Sequence, residues 1–260
     1  MRADADGAGS VTAVESETER REQVAWVYER LIETYGVPAW EPDGDALGGL
    51  IGTVLSQHTS DVNSERAYAR LRERLPTWEA VRDAPVAEVA DAIRPGGLAE
   101  QKAPRIQAIL RALTPPADPL PDAAKDGSGG AGEYGSLEHA LDGLGAMPLE
   151  AALARLEALP GVGPKTAACV LLFSLGQPAF PVDTHVWRVA RRLGLIGGRT
   201  TAAAAHAELT RLIPPDWRHT LHVTMIRHGR QVCHARNPLC ERCSLRARCR
   251  YYWELVAAGS

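Results

Sequence analysis

A chain of 260 residues, 45% of them hydrophobic, has material for one large or two small cores, and it holds no run of about eighteen apolar residues, which excludes a membrane-spanning helix. The formal charge of −3 hides a division: residues 1–150 carry 14 Lys/Arg against 26 Asp/Glu, whereas residues 151–260 carry 15 against 6. A basic second half suits a protein that lays one face on phosphates, and an odd five cysteines, four of them at or beyond position 233, argue for a metal centre over a disulfide framework.

Residues 1–19 are small, polar and acidic, with little to bury, which predicts a disordered tail. The tail lacks the apolar stretch of a signal peptide, so a cytoplasmic location is expected. From Arg20 to Tyr35 the residues Val24, Val27, Leu31 and Ile32 mark a helical stripe, broken by Gly36, Pro38, Pro42 and Gly44. Asp43 or Asp45 can cap the next helix, where Leu47, Leu50, Ile51, Val54 and Leu55 recur at helical spacing. The polar SQHTSDVN stretch follows, then a charged helix over about 62–75 and shorter ones near 77–82 and 85–93. A further helix runs to Leu113, with Pro104 demanding a late start or a kink.

Residues 114–135 are proline, glycine and charge, which predicts an exposed insertion. Helices are then expected over 137–144, 149–159, 165–175, 184–193, 201–212 and 216–228, with no strand anywhere. The stretch LPGVGPKTAACVLLFSLGQPAFPVDTHVWRVARRLGL organises the rest. Gly161 and Gly163 form a turn in which at least one residue needs positive φ, and Pro164 suits a helix's first turn. The unpaired N–H groups there can hold a phosphate oxygen, and Lys165 stands beside them on an otherwise apolar helix. Asp183 occupies an N-cap position before a helix closed by Gly194. Cys169, inside the apolar helix, reads as a core residue.

LPGVGPKTA followed by VDTHVWR, with Cys233-x6-Cys240-x2-Cys243-x5-Cys249 at the far end, resembles the helix-hairpin-helix, catalytic aspartate and terminal cluster loop of the endonuclease III family of DNA glycosylases. The resemblance covers roughly residues 20–250. It implies an all-α fold of two helical domains with double-stranded DNA in the cleft between them. Residues 42–177, with the insertion 114–135, would form the hairpin domain, and 20–41 plus 178–260 the cluster domain.

By the same resemblance Lys165 is a nucleophile towards C1′ and Asp183 its partner carboxylate. Such an amine must be neutral to attack, which apolar surroundings favour. The four cysteines would hold a [4Fe–4S] cluster; taken alone, four thiolates also suit zinc. Gln57 or His58, with the register open by one residue, and Leu98 would fill the gap left by an extruded base. Gly161, Gly163, His185 and Arg188 would meet the DNA backbone, with Arg191, Arg192, Arg227 and Arg230 as further phosphate contacts. Residues 50–58, LIGTVLSQH, lack the glutamate of adenine glycosylases, and Val54 stands in its place. The expected activity is excision of oxidised pyrimidines and cleavage at the abasic site, by a monomer. Two rivals are a monofunctional glycosylase for mismatched or alkylated bases and a non-catalytic DNA-binding cluster protein.

Overall fold

In a computed structural model, which describes residues 16–114 and 136–258, the described residues are helical without a strand. The predicted tail up to residue 15 and the insertion from 115 lie outside them. Residues 16–19 do not continue the tail. Ser16 caps α1 (Glu17–Tyr35): its hydroxyl accepts from the Glu19 N–H while the Glu19 carboxylate accepts from the Ser16 N–H, at 2.6 Å.

Two cores follow from the placement of apolar residues. The first is built by α2 (Ala46–Ser56), α3 (Asp61–Arg74), α4 (Trp78–Asp83), α5 (Val86–Ala92), α6 (Ala99–Leu113), α7 (Leu149–Glu157) and α8 (Pro164–Cys169). Asp45, Ser60 and Thr77 cap the first three of these by accepting from the N–H three residues on. Leu50, Ile51, Val54 and Leu55 of α2 are wholly enclosed, each such side chain contributing about 1.5–3 kcal/mol of transfer free energy. The α6 helix starts at Ala99 and passes through Pro104, whose missing N–H leaves the carbonyl of exposed Glu100 to solvent. The second core joins α1 to α9 (Thr184–Arg192), α10 (Ala202–Leu212), α11 (Arg218–Gln231) and α12 (Arg250–Ala258). Among the described residues no helix is long and apolar enough to cross a membrane.

Three stretches depart from the sequence expectation. The helix expected over 137–144 is two 3₁₀ turns, Leu137–His139 and Asp142–Ala146, because Gly143 and Gly145 weaken a longer run. The helix opened by Pro164 is α-helical only to Cys169 and closes as a π turn, Val170–Ser174. The helix expected from 216 begins with a 3₁₀ turn, Pro215–Trp217.

An extended strap, residues 177–183, carries the chain from the first core to the second. Ala179, Phe180, Pro181 and Val182 are buried, so their carbonyls need partners. Side chains supply partners along the strap: Arg218 donates to Pro178, and His222 Nδ1–H donates to Pro181 at 2.9 Å. At the near end the Gln177 amide donates to the Leu144 and Met147 carbonyls, at 2.8 and 2.9 Å.

Candidate active site

Of the two hairpin glycines only Gly161 takes the left-handed backbone, with φ 70°; Gly163 is extended at φ −102°. A Cβ on Gly161 would also stand 2.4 Å from the Arg105 side chain, which donates to the Gly161 carbonyl. Val162 is buried between them, and Pro164 opens α8. Lys165 is therefore delivered in the first turn of α8, half-buried, on the same helix face as Cys169 one turn further on. Burial pushes that thiol's pKa up, against the pull of the lysine.

Asp183 ends the strap and caps α9, its Oδ1 accepting from the Val186 N–H at 2.7 Å. Lys165 and Asp183 line one cleft of about 760 Å³ between the two cores, together with Cys169, Phe173, Val182 and His222. Because Nδ1 of His222 donates to Pro181, its Nε2 is left as an acceptor, and burial holds the imidazole neutral with its pKa lowered to about 4. Cys169 and His222 were not singled out as site residues in the sequence. Cys169 could have been, since residues four apart on a helix share a face; nothing local marks His222.

At the rim the one-residue ambiguity has a physical answer. Gln57 is turned inward, accepting from Arg105 at 2.8 Å and donating to Thr166 at 3.3 Å. His58 is exposed, lines the cleft and takes a left-handed backbone, φ 56°. Leu98 is also left-handed, φ 50°, and 46% exposed at the tip before α6. Val54 is wholly buried beneath this rim.

Two of the arginines expected to meet phosphates are engaged within the protein. Arg192 is buried: it donates to the His234 and Ala235 carbonyls and to the Cys233 sulfur at 3.2 Å, and its guanidinium lies over Tyr251. Arg188 donates to the Cys233 and Gly229 carbonyls, both at 2.9 Å, and its Nη2 lies 3.0 Å from His185 Nδ1. Both bind α9 to the cysteine loop, because the loop's carbonyls have no helical partners and need charged donors. His185 is thereby held against Gly229, where a Cβ would come within 2.8 Å of it. Arg227 and Arg230 are exposed and line the cleft, and Arg230 lies 3.5 Å from Asp61 on the opposite core.

Cys233, Cys240, Cys243 and Cys249 form no disulfide and share one neighbourhood: the Cys243 thiol is pushed up to about 11 by burial and by the three other sulfurs. Among the described residues no three His, Cys, Asp or Glu side chains are gathered closely enough to bind a single metal ion. His228 Nε2 lies 3.5 Å from the Cys243 sulfur, and its Nδ1 lies 3.1 Å from the Tyr35 hydroxyl.

Comparisons with known proteins bear on this geometry. The model of the HhH-GPD superfamily base excision DNA repair protein matches residues 51–215. Endonuclease III of Thermotoga maritima is 35% identical over 215 residues, 83% of this chain and 87% of that protein. Endonuclease III of Escherichia coli K12 is 32% identical over 202 residues, 78% and 82% of the two chains. Among solved structures, a non-covalent endonuclease III–DNA complex superposes with a TM-score of 0.67 at 26% identity, covering 91% of this chain and 98% of that one. A trapped endonuclease III–DNA covalent intermediate gives the same values. Sequence and structure together make this chain a member of the HhH-GPD superfamily, a base excision repair DNA glycosylase of the endonuclease III type.

Proposed function

We propose that this glycosylase is bifunctional, excising oxidised pyrimidines from duplex DNA and cutting the abasic strand through a Schiff base on Lys165. The observation that carries the reading is a lysine and a carboxylate meeting in one cleft from opposite cores. One of the structures the chain resembles is a trapped covalent intermediate, which fits a nucleophilic side chain in this fold.

The unprotonated Lys165 amine attacks C1′ of the extruded nucleoside, the N–C1′ bond forms and the glycosidic bond breaks, the base leaving with its electron pair. Asp183, fixed by its hydrogen bond to Val186 N–H, stabilises the positive charge that develops on the sugar. The sugar ring opens to an iminium at C1′, which acidifies C2′–H; loss of that proton expels the 3′ phosphate, and water releases the lysine. His58 and Leu98 enter the duplex as the base leaves the stack, and exposed Arg227 and Arg230 meet the flanking phosphates.

Cys233, Cys240, Cys243 and Cys249 would hold a [4Fe–4S] cluster. The donor set fits: four soft thiol side chains, close enough for their charges to act on one another, are the ligand type such a cluster takes. When bound, the cluster supplies a rigid knot for the loop that Arg188 and Arg192 tie to α9.

Borohydride trapping on duplexes bearing thymine glycol or an abasic site tests the proposal. A covalent adduct is expected, and Lys165→Ala should abolish it while the circular dichroism of the chain stays helical. The reading is unusually easy to check, because the sequence contains three lysines, at 102, 125 and 165. Base release without an adduct would make the protein monofunctional, and binding without release would overturn catalysis.

A further inference from the structure

Lys102 takes no part in the chemistry above, yet it is one of three lysines in a chain that uses arginine for its other 26 fixed positive charges. It is 4% exposed, and its Nζ donates to two carbonyls, Leu55 at 2.7 Å and Gly96 at 2.8 Å. Leu55 lies three residues before His58 and Gly96 two residues before Leu98. We infer that Lys102 is a positioning residue that joins the roots of the two rim loops, so that His58 and Leu98 enter the duplex as one device. The inference rests on the reading of those two side chains as the groups that replace the extruded base.

The chemistry of the junction supports a lysine at this place. Leu55 lies in the last turn of α2, and Gly96 ends the 3₁₀ turn Arg94–Gly96, so both carbonyls lie at the negative ends of helical turns. A compact ammonium can meet two such oxygens in a closed space where a planar guanidinium would need more room. Gly96 leaves that room scarce, since a Cβ on it would lie 3.1 Å from the Ala67 methyl.

His58 and Leu98 are two of the three non-glycine residues with positive φ among the described residues, a conformation that persists only where the surroundings over-determine it. The Lys102 backbone completes the arrangement, its N–H donating to the Leu98 carbonyl at 2.9 Å. One turn along α6, Arg105 reaches Gln57 and the hairpin carbonyl of Gly161, so a single helix face ties both rim loops to the hairpin that carries Lys165.

The test uses the full chain and a duplex with 2-aminopurine beside thymine glycol, whose fluorescence rises when the stack opens. Lys102→Met should lose the rise and lower excision by about tenfold or more. Binding to the same strands with the base already unpaired in a bubble, where no opening is required, should change by no more than about threefold. Lys102→Gln carries the same measurement if the methionine variant fails to fold by circular dichroism. Wild-type fluorescence in either variant overturns the inference, and so does an equal loss on duplex and bubble, which would make Lys102 a mere structural cation. A wild-type chain that opens the stack but forms no adduct overturns the bifunctional mechanism and leaves this assay readable.

Discussion

Asp183 caps α9 and, in the proposed mechanism, also acts on the sugar, and its substitution should separate the two. As an N-cap it contributes about 0.5–2 kcal/mol through the bond to Val186 N–H. Asp183→Asn keeps a capping oxygen and should melt close to wild type; Asp183→Ala should lose that increment as well. Neither should turn over thymine glycol if the carboxylate acts on the sugar, so equal inactivity at unequal melting temperature is the expected outcome. Activity surviving in the asparagine variant would reduce Asp183 to a cap. This residue and Lys165 are legible in the sequence because glycine, proline and a capping side chain fix the backbone locally. His222 is not, because it reaches the cleft only through a carbonyl 41 positions earlier in the chain. Cys169 is buried, as its apolar neighbours suggest, and its spacing from Lys165 also puts it on the wall of the cleft.

Elements were legible where one face alternates with solvent at helical period, and less so where tertiary partners decide. The buried run after Lys165 satisfies helix and core alike, so nothing in it announces the π turn at Val170–Ser174 that ends α8. The rim loops carry no glycine at His58 or Leu98, hence no local sign of their positive φ. Arginine counts misled for a similar reason: a guanidinium can satisfy stray carbonyls as readily as phosphates, and Arg188 and Arg192 do the former. Beyond these ties the cysteine loop buries little more than Leu245 and Cys249, so with the proposed cluster its order should depend on iron. Cys240→Ser should lower the iron content of the purified protein and its visible absorption, and should weaken DNA binding with Lys165 untouched. Full iron in that variant, or zinc in the wild type, would refute the cluster assignment.

At the scale of the whole molecule three imidazoles lie between the two cores, His222 buried and His206 and His219 half-buried. Burial lowers the pKa values of His206, His219 and His222, the last to about 4 from an ordinary 6.5. The unfolded chain takes up protons below about pH 6.5 that these folded sites refuse, so stability should be kept above that pH and lost as pH falls towards 4. For His222 alone the full loss is on the order of 3 kcal/mol. Thermal unfolding between about pH 7 and pH 4.5 would measure it, and His222→Gln, which retains a donor for Pro181, should flatten the curve. A midpoint independent of pH would show that these sites accept protons when folded.

Chain length is not interchangeable between places in this molecule. Thr114 and Leu137, on either side of residues 115–135, are both held from α4, by Arg82 and Glu79, and so belong to a single body. The strap from Gln177 to Asp183 is different, because its two ends belong to different bodies and it is fastened between them. One residue added there would shift the acid by about 3.3 Å relative to the amine, further than a reacting pair can tolerate. In the proposed mechanism the reach of this short ribbon is thus the ruler that sets the reaction distance.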